Sequence, residues 1–350
     1  MQYIHRIKYI FQKDYLFLIL YDIIRTEVMK MKINTNRAKD TLVINAVEDR
    51  EIVCAFHDID GTHSLIRNWQ PVMSRVLYDT AVNGIPDNLT TDENIDRLVS
   101  LCGVEVLEET DNFCIESAGL SALTQMEWAI RRNQEMTKGE FDSPTNSEII
   151  QLIWKGEERF ESFDEPAEYL TYLKEKTPKL FWVYEQVLNR FCRDKNLAAA
   201  KQDPESFLIG GSMEFINYLH RKGVKNYFVT GAVVDKSIVP PMGMYEEVLG
   251  LGFEIGEGKQ IEDILGSTWE EKIPKDEVMR RLAKELGIDG KNILVVGDGR
   301  SEIFAGVGLG AVTVSVLPEN AKRLRELHRE LGTNMIISDY NGKDLCEILC

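Results

Sequence analysis

Hydrophobic positions along this chain follow two rhythms, and the change between them divides it. Short apolar runs rich in β-branched residues predict strands at Leu42–Val47, Ile52–Phe56, Val224–Val229, Asn292–Val296, Ala311–Val316 and Met335–Ile337. From about His63 to Pro204 the rhythm is helical. Leu180, Tyr184, Val187, Leu188 and Phe191 form one stripe, Leu123, Met126 and Ile130 another, and Ile149, Leu152 and Ile153 a third. Helix-start signals stand at Thr90–Glu93 and at Ser143-Pro144. Trp69, Trp128, Trp154 and Trp182 all fall in this stretch and read as packing between helices. After Pro204, helices predicted at Ser212–His220, Asp276–Leu286 and Glu319–Glu330 alternate with the strands, which is the signature of right-handed βαβ units and a parallel sheet. The expectation is an α/β fold: a doubly wound, mostly parallel sheet built from residues 41–62 and 205–350, interrupted by an all-helical domain over residues 63–204.

The strand Ile52–Phe56 runs into His57-Asp58-Ile59-Asp60-Gly61-Thr62. Alternate residues of a strand share a face, so Asp58 and Asp60 start out on one side, and Gly61 allows a sharp turn that converges them. Two carboxylates held that close call for a cation or a shared proton. Two further strands stop at polar signatures, Thr230-Gly231 and Gly297-Asp298-Gly-Arg-Ser-Glu302. In a parallel sheet these ends lie along one edge, where ligands of α/β proteins bind.

Composition narrows the chemistry. The 350 residues are 44% hydrophobic and 28% charged, ordinary for a globular protein, and the net charge of −16 argues against nucleic acid. The cysteines, Cys54, Cys102, Cys114, Cys192, Cys346 and Cys350, lack Cys-x-x-Cys spacing, so neither a zinc site nor a disulfide framework is expected, and a cytoplasmic location is. Residues 1–40 differ, with eight Lys or Arg against four Asp or Glu. Their apolar run Tyr15–Tyr21 is too short to span a bilayer. This stretch reads as an amphipathic extension, or as a start assigned upstream of Met29 or Met31.

The four-part set, Asp58-x-Asp60-Gly-Thr62, Thr230-Gly231, a lysine at 272 or 275, and Gly297-Asp298 with Glu302, resembles the haloacid dehalogenase-like hydrolases, a superfamily dominated by magnesium-dependent phosphatases. The resemblance covers roughly residues 50–62 and 205–345. It implies Asp58 as nucleophile, Asp60 as general acid/base, Thr230 as a phosphate ligand, the lysine paired with phosphate and nucleophile, and Asp298 on the metal. The Thr230 hydroxyl and the unobstructed N–H of Gly231 suit phosphate oxygens. Mg2+ prefers hard oxygen ligands, which Asp58, the backbone carbonyl of Asp60, and Asp298 supply. Glu302 stands where Asp is usual, and its extra methylene could still let it reach the metal through water, which weakens its assignment as a ligand rather than the function. Lys275 opens its helix and is preferred over Lys272. His57 and His63 are expected to support or rim the pocket rather than act as bases.

Between Thr62 and Thr230 lie 167 residues, and between Gly231 and Lys275 only 43. The first gap holds a full helical lid and the second does not, an arrangement similar to the phosphoglycolate phosphatase and β-phosphoglucomutase branch. The resemblance implies a phosphatase acting on a small phosphorylated metabolite through an aspartyl-phosphate, as a monomer or homodimer. A phosphomutase and a non-catalytic phosphate or metabolite binder are the alternatives, and no nucleic-acid or membrane partner is expected.

Overall fold

The computed structural model describes residues 31–35, 41–65, 68–117, 122–134, 167–236, 242–267 and 273–349. The terminal run Tyr15–Tyr21, the stripe from Ile149 to Ile153 with its Ser143-Pro144 signal, Trp154, Cys350 and Lys272 lie outside them. The amino-terminal strands are β1 (Met31–Asn34), β2 (Leu42–Val43), β3 (Glu48–Ile52) and β4 (Cys54–His57). The helical region follows as α1 (Gln70–Asn83), α2 (Asp92–Leu101), α3 (Glu108–Glu116), α4 (Ala122–Asn133) and α5 (Ala167–Leu188), the last widening into a π-helical turn at Asn189–Arg193 before α6 (Asp194–Gln202). The remainder alternates: α7 (Ser212–Arg221), β5 (Lys225–Asp235), β6 (Met242–Gly243), α8 (Met244–Gly250), β7 (Asp263–Ser267), α9 (Lys275–Leu286), β8 (Ile293–Gly297), α10 (Arg300–Leu309), β9 (Val312–Val316), α11 (Lys322–Glu330), β10 (Met335–Ile337) and α12 (Lys343–Ile348).

Six strands pair in parallel in the order β7-β5-β4-β8-β9-β10. The chain enters at β4, in the middle, builds outward through β5 and β7, then crosses back to build β8, β9 and β10 on the other side. The strand order therefore reverses between β4 and β8, and a crevice opens beyond their carboxyl ends. Both faces of this sheet are covered, which is why its strands read as unbroken apolar runs. Ala55, Leu294 and Val296 pack with Phe215 and Leu219 of α7 on one side. Cys54, Phe56, Ile293 and Val295 pack with Val278, Met279 and Leu282 of α9 on the other.

The helices α1 to α5 carry a separate apolar cluster, with Leu77, Ile95, Met126, Ile130, Leu180 and Val187 at its centre. Phe113 and Trp128 stack inside it with centroids 3.8 Å apart. The Thr90–Glu93 signal resolves to Thr91, whose hydroxyl accepts from the Asn94 N–H at 3.3 Å, with Asp92 and Glu93 in the first turn facing the positive end of the helix dipole. Arg97 of α2 grips Asp79 of α1 through two nitrogens, at 3.0 and 2.7 Å.

Four predicted elements differ in extent: the helix expected at Glu319–Glu330 begins only at Lys322, and three strands change. The strand expected at Leu42–Val47 is only Leu42–Val43, antiparallel to β10, because the Ile44 and Asn45 N–H groups both turn to the Asn334 carbonyl. Glu48–Ile52 leaves the main sheet and pairs with Met31–Asn34, so the expected strand Ile52–Phe56 breaks at Val53 and starts again at Cys54. β5 does not stop at Thr230-Gly231 but continues to Asp235, and its pairing with β7 slips between Val229 and Val233. That slip falls on the two residues whose polarity suggested a strand end.

Candidate active site

The crevice between β4 and β8 collects acids from two strand ends. Asp58 is still anchored to the sheet, its N–H donating to the Val296 carbonyl at 2.9 Å. The chain then turns tightly, with the His63 and Ser64 N–H groups both donating to the Ile59 carbonyl, at 2.8 and 2.9 Å. Gly61 makes this turn possible with a φ of +79°, and a Cβ there would lie 2.1 Å from Asp298 Oδ2. The loop after β8 can thus bring Asp298 against the turn, where the Thr62 hydroxyl donates to Asp298 Oδ1 at 2.9 Å. Ser64 closes the turn by donating to Asp60 Oδ1 at 2.9 Å.

Lys275, in the first turn of α9 after Pro274, sends its ammonium between two carboxylates. Nζ lies 2.5 Å from Asp58 Oδ1 and 3.1 Å from Glu302 Oε2, with the lysine side chain only 6% exposed. Glu302 is fully engaged: Oε1 accepts from the Gly299 N–H at 2.5 Å and Oε2 from the Ser301 hydroxyl at 2.9 Å. A Cβ on Gly297 would meet Glu302 Cγ at 2.1 Å, so the glycine ending β8 is what admits this longer acid. Carboxylate oxygens of Asp58, Asp298 and Glu302 lie within 4.8 Å of one another.

Burial and mutual repulsion shape the protonation of this cluster. Burial pushes the Asp58 carboxyl up to about 6, against the pull of Lys275. Asp298 is held well above the usual carboxylate range by burial and then by Asp58 and Glu302. Burial, Glu247 and Asp58 raise Asp60 in the same way. Burial also acts on Glu302, but Lys275 and its backbone and Ser301 hydrogen bonds outweigh it and leave the group below its ordinary value. For Lys275, burial is outweighed by Asp58 and Glu302, and the ammonium stays charged. Among the described residues three converging acids are served by one ammonium, which leaves the cluster short of positive charge. A divalent ion with a preference for hard oxygen ligands fits that deficit.

A cavity of about 340 Å³ opens over these groups. Asp58, Asp60, Thr230, Gly231, Lys275 and Asp298 all line it, whereas Glu302 lies behind Lys275 and does not. The Thr230 hydroxyl accepts from the Ala232 N–H at 3.1 Å, inside the stretch where β5 slips against β7, and a Cβ on Gly231 would meet nothing within 4 Å. The opposite wall comes from the helical region, with Trp69, Phe181, Tyr184, Glu185 and Arg193. Trp69 therefore does more than pack between helices. Arg193 and Glu185 carried no sequence signal, because only the packing of α5 turns them toward the acids.

His57 and His63 lie behind the acids. His63 Nε2 meets His57 Nδ1 at 3.0 Å, His57 Nε2 meets Asn226 Oδ1 at 3.2 Å, and His63 Nδ1 meets Ser212 Oγ at 2.7 Å. Tyr340 stacks on His63 with centroids 5.0 Å apart and donates from its hydroxyl to the Thr62 carbonyl at 3.0 Å. Burial lowers His57 to about 4, and burial and then His57 hold His63 well below its ordinary value, so both rings are neutral props beneath the turn. Tyr340 and Ser212 belong to this support and had no local motif to reveal them.

A parallel sheet with its acids gathered at the switch point, a lysine on the first acid and a hydroxyl on the neighbouring strand defines a hydrolase-type α/β site. The chain matches the family described as haloacid dehalogenase-like hydrolase over residues 58–310, and it belongs to that family. No curated protein matches it in sequence. Among solved structures it is similar to a predicted phosphoglycolate phosphatase from Haemophilus somnus 129PT, at 15% identity over 85% of this chain and 97% of that one, with a TM-score of 0.43. It is also similar to a β-phosphoglucomutase from Clostridium difficile, at 14% identity over 83% of this chain and 92% of that one, with a TM-score of 0.41. A predicted phosphatase from Clostridium acetobutylicum shares 11% identity over 85% of this chain and 97% of that one, with a TM-score of 0.45.

Proposed function

We propose that this hydrolase is a magnesium-dependent phosphatase of a small phosphate monoester, acting through an aspartyl-phosphate on Asp58. The observation that carries this reading is the pairing of Asp58 with Lys275 beside Asp60 in the lining of one cavity. A bare carboxylate is repelled by a phosphate dianion, and the buried ammonium offsets that repulsion while helping to hold a phosphoryl oxygen. The Thr230 hydroxyl and the unobstructed backbone N–H of Gly231 hold further oxygens. Asp58, the Asp60 carbonyl and Asp298 would hold Mg2+, which when bound supplies charge neutralisation for the phosphoryl group.

In the first half-reaction an Asp58 carboxylate oxygen bonds to phosphorus, the ester P–O bond breaks, and Asp60 gives its proton to the leaving oxygen. In the second, water attacks phosphorus, Asp60 takes a proton from it, and the P–O bond to Asp58 breaks to release inorganic phosphate. The raised Asp60 keeps a proton available for the first step. Its hydrogen bond from Ser64 fixes which oxygen faces the substrate. The helices α1 to α5 serve as a lid that limits water around this chemistry.

The test is release of inorganic phosphate from p-nitrophenyl phosphate with magnesium, by the unmodified protein and by Asp58→Asn. Turnover that is lost in the variant supports the reading. Turnover unchanged in Asp58→Asn removes the nucleophile, and binding of phosphate without turnover of any ester identifies a non-catalytic binder instead.

A further inference from the structure

Two side chains on the helical wall of the cavity keep a hydrogen-bond acceptor open, and none of these steps uses either. Gln125 on α4 is 4% exposed and lines the cavity that Asp58, Asp60 and Lys275 also line. Its amide is held from behind by Ser117. A hydroxyl has a single hydrogen to give, and Ser117 gives it to the Phe113 carbonyl at 2.6 Å. Ser117 Oγ can then only accept from Gln125, which lies 2.8 Å away, so the amide nitrogen faces Ser117. The amide oxygen is left on the side away from it. Oε1 takes no hydrogen bond among the described residues, and it is not one of the polar atoms that burial seals off. Since Gln125 is buried apart from its share of the cavity wall, the open space at Oε1 is the cavity.

Glu185 on α5 repeats the arrangement on the same wall. Its Oε2 accepts from Arg193 Nη1 at 2.7 Å, which fixes the carboxylate and meets the charge of Arg193. Its Oε1, like that of Gln125, is unpaired among the described residues and unsealed. An acceptor is satisfied only by a hydrogen. A hydroxyl or amino group on the substrate brings one. An alkyl group in its place strips water from both oxygens and returns nothing. An ionised carboxylate or a second phosphate has no hydrogen to give, and sets oxygen against oxygen. Trp69 and Phe181 supply apolar faces beside these acceptors, suited to the C–H surface of a small carbon skeleton.

We infer that Gln125, oriented by Ser117, is a specificity-determining residue of this site, its Oε1 accepting a hydrogen bond from the leaving group with Glu185 Oε1 as the second acceptor. The preferred substrate is then a phosphate monoester whose leaving group carries a hydrogen-bond donor, a hydroxyl or an amino group. This rests on the phosphatase reading and adds to it the class of leaving group and the residues that select it.

The experiment compares kcat/KM on esters that share a three-carbon chain: glycerol 3-phosphate (hydroxyls), 3-aminopropyl phosphate (an ammonium), 2-carboxyethyl phosphate (a carboxylate) and propyl phosphate (no polar group), with p-nitrophenyl phosphate as the general ester. The unmodified protein is expected to prefer the hydroxyl or the amino ester to the propyl ester by roughly tenfold to a hundredfold, and the faster of the two names the donor. The carboxyl ester is expected to fall below both. Gln125→Met keeps the length of the side chain without the acceptor and is expected to bring the ratio of the preferred ester to the propyl ester down by about the same factor. A ratio of two esters on one preparation cancels any loss of folded protein. Ser117→Ala frees the amide without touching the cavity and is expected to lower that ratio as well. Glu185→Gln is expected to narrow the gap between the preferred ester and the carboxyl ester. A propyl or carboxyl ester turned over as fast as the donor-bearing ones, or an equal fall on all esters in Gln125→Met, overturns the inference while turnover of p-nitrophenyl phosphate leaves the phosphatase reading standing. An unmodified protein inactive on every ester fails earlier, at that reading, and takes this inference with it.

Discussion

The Lys275 ammonium lies 2.5 Å from Asp58 Oδ1, and the same nitrogen lies 3.1 Å from Glu302 Oε2. One buried cation thus joins the end of the central strand to the first turn of α10. It offsets part of the burial cost of the Asp58 charge and stands between two acids.

Replacing Lys275 by Met removes the compensation and leaves Asp58 and Glu302 buried together. Breaking a buried pair by deleting one partner costs about 3–5 kcal/mol, so the urea midpoint of Lys275→Met is expected to fall clearly. Phosphatase activity is expected to drop by at least about a hundredfold in the same variant, since a preorganised charge on the phosphoryl group is lost. Stability and activity both near those of the unmodified protein would contradict the assignment of this lysine.

Gly61 and Asp298 make a paired prediction about metal. Magnesium binding to the folded acid cluster is expected to raise the melting temperature by about 2–4 °C at saturating concentrations, an effect that chelation reverses. Asp298→Asn is expected to abolish the shift. Gly61→Ala forces a methyl group into Asp298 Oδ2 from a left-handed backbone, so it is expected to abolish the shift and the activity while retaining the far-ultraviolet circular dichroism of the fold. A full magnesium response in Gly61→Ala would show that Asp298 is not placed by that close approach.

The buried histidines give a pH signature. His57 is lowered to about 4 in the folded protein from an ordinary value near 6.5, chiefly by burial. The unfolded chain therefore takes up a proton first as pH falls, and the contribution of this group to stability is full above about 6.5 and lost as pH drops toward about 4. At pH 4.5 the loss from His57 alone is on the order of 2–3 kcal/mol. The comparison is the urea midpoint at pH 7 and pH 4.5 for the unmodified protein and for His57→Gln. The variant is expected to show the smaller difference, and an equal difference would mean that His57 titrates normally in the fold.

Much of the fold and site was legible because the physics is local. The strand Asn292–Val296 reads as apolar throughout since both faces of a parallel sheet are covered, and it appears as Ile293–Gly297. Asp58, Asp60, Gly61 and Thr62 are adjacent in sequence, so their turn could be anticipated from glycine alone. The sequence places Lys275 at the start of a helix, and that helix begins at Lys275. Where reading failed, a distant partner decided the outcome. Leu42–Val47 has the composition of a longer strand, but Asn334 captures its next two N–H groups. Thr230-Gly231 looks like a strand end, yet a slip against β7 lets the strand continue past it.

The sequence by itself determined the two hydrophobic rhythms, the order of strands and helices, and which residues carry carboxylates, hydroxyls and ammonium at strand and helix ends. These follow from side-chain periodicity and from turn chemistry, both of which act within a few residues. Tertiary structure alone decided that Lys275 lies between Asp58 and Glu302, that Tyr340 and His63 brace the turn from below, and that Arg193 and Glu185 face the acids across the cavity. Each of these joins residues far apart in the chain, and their meeting depends on how sheet and helices pack, which no local pattern encodes.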